Sequence, residues 1–256
     1  MKICALQAFG ASFLVLIIVH GEAGAVQPKA TNSQSTELPV FVDNSRSKYF
    51  PPPALQGKAA SCDWFACAYY QMTYMNNRGL DRAADPSNTF SPKFGFNLVN
   101  NGKLFPENLW FLDVYDLLRD FGSPPIVDLP YDLAGGEHCG EWSTNADLWT
   151  KAAAGRIAGY EYLLFDLRRV KQLLVDGEVL VLQCNPWQCG LATTKNFPGS
   201  KEDDPFIGES VIASGSPSPD HTLALVGYND AIWIDRDGNG RPDPDELGAL
   251  KIAESA

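Results

Sequence analysis

Cys62 is the residue with the most chemical promise. It stands directly behind Ser61 and six residues after Gln56, at the first turn of a segment whose spacing predicts a helix. Unpaired backbone N–H groups and the positive end of a helix dipole favour a thiolate at such a place. A nucleophilic thiol also needs a base to take its proton. Beyond the first 25 residues the chain offers two histidines, His138 and His221. His138 sits in the loop Gly135-Gly136-Glu137-His138-Cys139-Gly140 and reads as a histidine satisfied by a hydrogen bond. His221 opens the apolar run His221-Thr222-Leu223-Ala224-Leu225-Val226-Gly227-Tyr228, which predicts a strand. A side chain at a strand start is held by the ladder, which suits a base better than a loop tip does.

A second group of side chains has ligand chemistry. The segment Asp235-Arg236-Asp237-Gly238-Asn239-Gly240-Arg241-Pro242-Asp243-Pro244-Asp245-Glu246 reads as an EF-hand-type calcium loop. Asp235, Asp237, Asn239, Asp243 and Glu246 supply oxygens at positions one, three, five, nine and twelve. Arg241 offers its backbone carbonyl at seven, and Gly240 makes the sharp turn at six. Pro242 stands where an apolar residue would pair with a second loop, and the flanks read as strands. The expectation is a lone Ca2+ at the tip of a hairpin, holding together acidic groups that otherwise repel. It would support rigidity without joining the chemistry.

The elements that must position these residues come next. Trp64, Phe65, Ala68, Tyr69, Met72 and Met75 recur at three- and four-residue spacings, which predicts a helix capped by Ser61 and stopped by Gly79. A second helix is expected over 106–121, closed by Gly122, and a third from Asp166, closed by Gly177. Short apolar runs at 179–182, 223–228, 231–234 and 249–253 predict strands. Helices early and strands late indicate an α+β protein of two packed halves.

At this point the residues resemble a known family. Gln56-Gly57-Lys58-Ala59-Ala60-Ser61-Cys62, followed by Phe65-Ala66, is similar to the nucleophile segment of papain-like cysteine peptidases. The run His221 to Tyr228, followed by Asn229-Asp230, resembles their histidine strand, of the form His-Ala-(apolar)-Val-Gly-Tyr. Gly248-Ala249-Leu250-Lys251-Ile252-Ala253 resembles the strand that leads into their Asn-Ser-Trp-Gly motif, and Ser91-Pro92 and Leu129-Pro130-Tyr131 fall in the expected order. His221 lies 159 residues beyond Cys62, slightly more than the roughly 130–150 typical of the family. The resemblance implies a papain-like two-lobed fold, with a helical lobe carrying Cys62 and a β-barrel-like lobe carrying His221. It also implies hydrolysis of a polypeptide substrate: Cys62 attacks the carbonyl, His221 moves the proton, and Gln56 with the backbone N–H of Cys62 stabilises the oxyanion. The chain departs from the pattern at several places. Asp63 replaces the Trp that usually follows the nucleophile, Ala59 replaces a disulfide cysteine, and no glycine pair is evident near Asn100-Asn101-Gly102. Glu254-Ser255-Ala256 stands where Asn-Ser-Trp-Gly is expected, so Glu254 takes the place of the residue that orients the base, and the C-terminal strands are missing. A carboxylate can hold an imidazole, as in related triads. Two other readings stay open: a calcium-stabilised papain-like binding protein without turnover, and a truncated chain.

Composition bounds these readings. The chain has 256 residues, 45% of them apolar, with 20 Lys+Arg against 31 Asp+Glu and a net charge of -11. A sizeable core is possible, and neither nucleic acid nor an anionic membrane surface fits as a partner. Residues 1–25, with Lys2, an apolar run and Ala23-Gly24-Ala25, read as a secretory signal peptide, with a lipid-anchored or uncleaved segment as the lesser reading. Residues 26–40 read as a linker and 41–256 as the peptidase-like domain, with 235–246 as the calcium-loop insertion. The expected location is secreted or periplasmic, with no membrane contact after cleavage. Five cysteines then remain: Cys62, Cys67, Cys139, Cys184 and Cys189. Cys184 and Cys189 are close enough for a small loop, and Cys67 and Cys139 could bridge, but four cysteines allow three pairings and a reduced Cys67 is equally compatible.

Overall fold

Helical spacing after Ser61 gives one continuous helical stretch, though not of one kind. In the computed structural model, which describes residues 2–5, 14–19, 37–106, 111–184, 190–213 and 221–255, α1 (Cys62–Trp64), a π-helix (Phe65–Met72) and α2 (Thr73–Gly79) follow without a break. Every residue of the π segment is buried, as suits a helix enclosed by protein on all sides rather than an amphipathic one. Trp64, Ala66, Ala68 and Met72 pack with Val114, Tyr115 and Leu118 on the helical side. Phe65, Tyr69, Tyr70 and Met75 pack with Val179, Ala224 and Val226 of the sheet. π geometry is rare and recurs near functional sites, and here it begins three residues after Cys62.

The expected cap is corrected, while the helix ends at Gly79 as expected, without a left-handed turn there. Ser61 makes no side-chain cap; its hydroxyl instead meets the Tyr131 hydroxyl at 2.8 Å. The left-handed turn after α2 falls at Asp81, φ 49°, rather than at Gly79, and Tyr49 Oη donates to Asp81 at 2.7 Å. The other two stops stand as expected, with Gly122 and Gly177 at φ 73° and 84°. The second helix is α4 (Phe111–Asp120), and residues 107–110 of the expected span lie outside the described residues. Two short helices carry too few turns to be read from spacing: α3 (Pro92–Val99), with proline in its first turn, and α5 (Ala146–Ala154), capped by Asn145. α3 crosses α1 at Gly95, where an added Cβ would lie 1.9 Å from a Trp64 ring carbon. α6 (Leu167–Val175) begins at Asp166, whose side chain accepts from the Arg169 N–H.

The described strands form a nine-stranded sheet. They are β1 (Lys2–Ala5), β2 (Leu14–Val19), β3 (Phe41–Asp43), β4 (Gly159–Leu164), β5 (Leu180–Cys184), β6 (Leu191–Thr193), β7 (Ser210–Ile212), β8 (His221–Trp233) and β9 (Leu247–Ala253). Their order is β4-β2-β5-β8-β9-β1-β7-β6, with β3 also paired to β8. β8 is the axis, antiparallel to β5, β9 and β3. The two strands expected over 223–228 and 231–234 are this single strand. Asn229-Asp230 looks like a turn in sequence, but the ladder absorbs it. The Asn229 carboxamide accepts from the Ala231 N–H at 2.9 Å and donates to the Glu202 carbonyl at 2.7 Å, Asp230 pairs with Lys171, and the register with β9 shifts between Asn229 and Trp233. Such bulges bend a strand without ending it.

Candidate active site

The site is built where the start of α1 meets the start of β8. Cys62 is 9% exposed. Burial pushes its thiol up to about 12, with the Asp63 charge adding to the rise, while backbone N–H groups of Thr222, Asp63 and Cys62 itself pull the other way. Such a thiol ionises only if a neighbour takes its proton. His221, 5% exposed, is the first residue of β8. Its Nε2 lies 3.8 Å from Glu254 Oε1, just past the end of β9. That is ion-pair range, longer than a hydrogen bond.

Gln56 is fixed from four directions. Its N–H donates to the Ser255 carbonyl at 2.6 Å, and the Ser255 hydroxyl donates to its Oε1 at 2.7 Å. Its Nε2 donates to the Ala59 carbonyl at 3.0 Å, and the Tyr131 hydroxyl donates to its carbonyl at 2.6 Å. Tyr70 Oη also donates to the Glu254 carbonyl at 3.2 Å. These bonds fasten the 254–255 segment to the nucleophile segment. A carboxamide nitrogen carries two N–H donors; one serves Ala59, and the other is available to an oxyanion. Gln56 is therefore joined to the 254–255 segment, Glu254 faces His221, and Cys62 lies against the backbone of Thr222, the residue after His221.

Asp63 points into the protein. Its Oδ1 accepts a hydrogen bond from the Thr222 hydroxyl, and burial pushes its carboxyl up to about 6, against the lowering effect of that bond. Thr222, Ser255 and the Tyr131 hydroxyl carry no signal of their role in residue type or local spacing. Only the resemblance's ordering of the Leu129-Pro130-Tyr131 turn touches one of them.

The remaining candidates separate from this locus. Cys67 and Cys139 are both buried free thiols, so the bridge between them that sequence left open is not formed. Cys67 is packed within the π-helix among Tyr115 and Val114, where burial drives its thiol well up. Cys189 lies outside the described residues, and the expected small loop with it. His138 is exposed, at φ 63°, with Nδ1 bonded to Glu141. The nearby Lys93 ammonium holds Asp132 and Glu141, each at 2.7 Å. A cavity of about 370 Å³ lined by Lys93, Phe94, Leu98, Trp142 and Trp149 contains none of Cys62, His221, Gln56 and Glu254.

The segment 235–246 is a tight turn held by its own hydrogen bonds. Gly238 and Gly240 take φ 75° and 71°. Asp235 Oδ1 accepts from the Gly240 N–H at 3.4 Å, Asp237 Oδ1 from Asn239 at 2.9 Å, and Asn239 Oδ1 from Arg241 at 2.6 Å. Carboxylate oxygens of Asp235, Asp237 and Glu246 lie within 4.8 Å of one another. The Asn239 Nδ2 joins Asp237 and Asp243 at 2.8 and 2.9 Å. The Trp233 indole N–H, with backbone N–H groups of Arg236, Asp237 and Asp243, holds the Glu246 carboxyl below its usual range. The donor set is hard and oxygen-rich, which fits Ca2+.

No protein-family model and no curated protein matches the chain. Solved structures do. Xylellain, a cysteine protease from Xylella fastidiosa, aligns with a TM-score of 0.50 and 16% identity over 84% of this chain and 87% of its own. The digestive procathepsin L2 proteinase of Tenebrio molitor larval midgut aligns with a TM-score of 0.50 and 18% identity, over 86% of this chain and 69% of its own. The proform of Amb a 11, a cysteine protease and ragweed pollen allergen, aligns with a TM-score of 0.50 and 18% identity over 77% of this chain, which spans 53% of that protein. With α1 meeting β8 beside a helical half and a strand-rich half, the chain has the α+β fold of the papain-like cysteine proteases.

Proposed function

We propose that the chain is a cysteine peptidase working outside the cytoplasm on polypeptide substrates. Cys62 attacks the scissile carbonyl to give an acyl-enzyme. His221 accepts the thiol proton and returns it to the leaving amine, and Glu254 stabilises the imidazolium between those steps. The free N–H of the Gln56 carboxamide and the backbone N–H of Cys62 receive the oxyanion. One observation carries the reading. Residues distant in sequence meet, with Cys62 against the backbone of Thr222, His221 beside Glu254, and Gln56 locked to Ser255.

Two further parts belong to the reading. Asp235, Asp237, Asn239, Asp243 and Glu246, with the Arg241 carbonyl, hold a structural Ca2+ that stiffens the turn between β8 and β9. Residues 1–25 are a secretory leader. Among the described residues no helix is long and apolar enough to cross a membrane.

A second reading has a specific observation behind it. The Asp63 charge beside Cys62 opposes the thiolate, which favours a protein that keeps the cleft and binds peptide without turnover. An epoxysuccinyl thiol probe separates the two. The peptidase reading expects stoichiometric labelling of Cys62 that falls at least tenfold in His221→Ala, together with peptide hydrolysis abolished in Cys62→Ala. Labelling indifferent to His221 would sink it.

A further inference from the structure

Two departures from the papain-like pattern touch each other. Asp63 stands where the pattern has Trp after the nucleophile, and Thr222 stands where it has Ala after the base. They are 159 residues apart in sequence, yet the Thr222 hydroxyl donates to Asp63 Oδ1. The same threonine receives a bond from Gln183 Nε2 at 3.3 Å and directs its backbone N–H at the Cys62 sulfur. One residue of β8 therefore grips both the nucleophile and its acidic neighbour, at the position adjoining His221.

We propose that Asp63 and Thr222 form a positioning pair that holds the strand carrying His221 against the helix carrying Cys62. The charge on Asp63 then sets the pH range in which the Cys62 sulfur is nucleophilic. This rests on the peptidase reading. An aromatic side chain after the nucleophile, with an alanine opposite, offers no such bond, and an unpaired buried carboxylate would be costly. Each substitution makes sense only with the other.

The direction follows from charge. The titratable groups that feel the Asp63 charge are Cys62 on its own helix, Cys67 on the π-helix and Tyr115 on α4, and His221 adjoins Thr222 on β8. The negative charge of Asp63 adds to the rise of the Cys62 and Cys67 thiols and the Tyr115 phenol. Asp63 is neutral at acidic pH, and the thiolate then forms against less opposition. As pH rises through about 6 the carboxylate ionises and the cost of the thiolate grows. The thiolate fraction therefore climbs less steeply above about pH 6 than it would beside a neutral side chain, and the pair shifts the nucleophilic range of Cys62 to higher pH.

The test is the pH profile of Cys62 alkylation by iodoacetamide, read by peptide mass so that other thiols do not contribute, beside kcat and KM for a peptide substrate. Asp63→Asn keeps an acceptor for Thr222 and removes the charge. It is expected to move the alkylation midpoint down by about one pH unit, the scale of one nearby charge, and to remove the shallow region of the alkylation profile above pH 6. Thr222→Val is expected to lower kcat roughly tenfold with KM little changed, and Thr222→Ser to restore it. An Asp63→Asn profile that superimposes on the native one overturns the proposal, as does Thr222→Ser behaving like Thr222→Val. If no peptide is cleaved but the alkylation midpoint still moves in Asp63→Asn, the pair stands and the peptidase reading falls. If peptide is cleaved and the profiles do not move, the pair falls and the peptidase reading stands.

Discussion

At the scale of single residues, the candidate site depends on groups that hold other groups still. Gln56 would bring one free N–H to an oxyanion, and its carboxamide plane is set by the Ser255 hydroxyl on Oε1 and by Ala59 on Nε2. Ser255→Ala leaves both ends of that carboxamide in place but removes the bond that fixes its rotation. A kcat lowered roughly three- to tenfold is expected, less than the hundredfold or more of losing an oxyanion donor outright. KM and thermal stability should stay close to native, because ground-state binding does not use this bond. A rise in KM at constant kcat would show that Gln56 acts on substrate binding instead. Cys62, Gln56 and His221 could be nominated from sequence because the roles proposed for them, nucleophile, oxyanion donor and base, have restricted residue types at recurring local spacings. Ser255 and Thr222 were not. Serine and threonine are common, and their roles arise from contacts spanning 199 and 159 residues, which spacing does not encode.

At the scale of elements, β8 and β9 do most of the positioning. His221 begins β8, the loop 235–246 joins the two strands, and Glu254 follows β9. The hairpin thus places His221 and Glu254 side by side at its open end and the acidic loop at its closed end. Sequence read the β9 run and the first helix, but divided β8 in two because Asn229-Asp230 has turn chemistry. Nor could spacing separate α from π hydrogen bonding in the segment after Cys62, since the same apolar residues serve both and packing against two core clusters decides. Calcium should act on the hairpin as a ligand acts on any native state. At 100 times its dissociation constant it adds about 2.7 kcal/mol, or roughly 5–10 °C of melting temperature for a domain of this size. Chelation is expected to produce that fall, with readdition of Ca2+ restoring it, and Glu246→Gln should blunt the response. A melting temperature indifferent to both chelator and Ca2+ would show that the loop is held by its own hydrogen bonds alone.

At the scale of the whole molecule, the question is which strands the functional site needs. β2 lies between β4 and β5, and β1 lies between β9 and β7, yet both come from the stretch that reads as a leader. Signal cleavage after Ala25 would remove them together. The strands that carry the site do not depend on either: β5, β9 and β3 each pair directly with β8, and β8 is backed by the buried π-helix through Ala224 and Val226. β4, whose residues are half-buried or exposed, would be left without a ladder partner, and the β6–β7 pair would keep only its own ladder. An exported chain is therefore expected to begin near Val26 by intact mass and N-terminal sequencing. Its amide hydrogens should exchange slowly across β8 and β9 and faster in β4, because an edge strand exposes its backbone bonds to water. An exported chain that still begins at Met1, with β4 protected as strongly as β8, would show instead that β1 and β2 are permanent members of the sheet and that the apolar N-terminal run belongs to the fold.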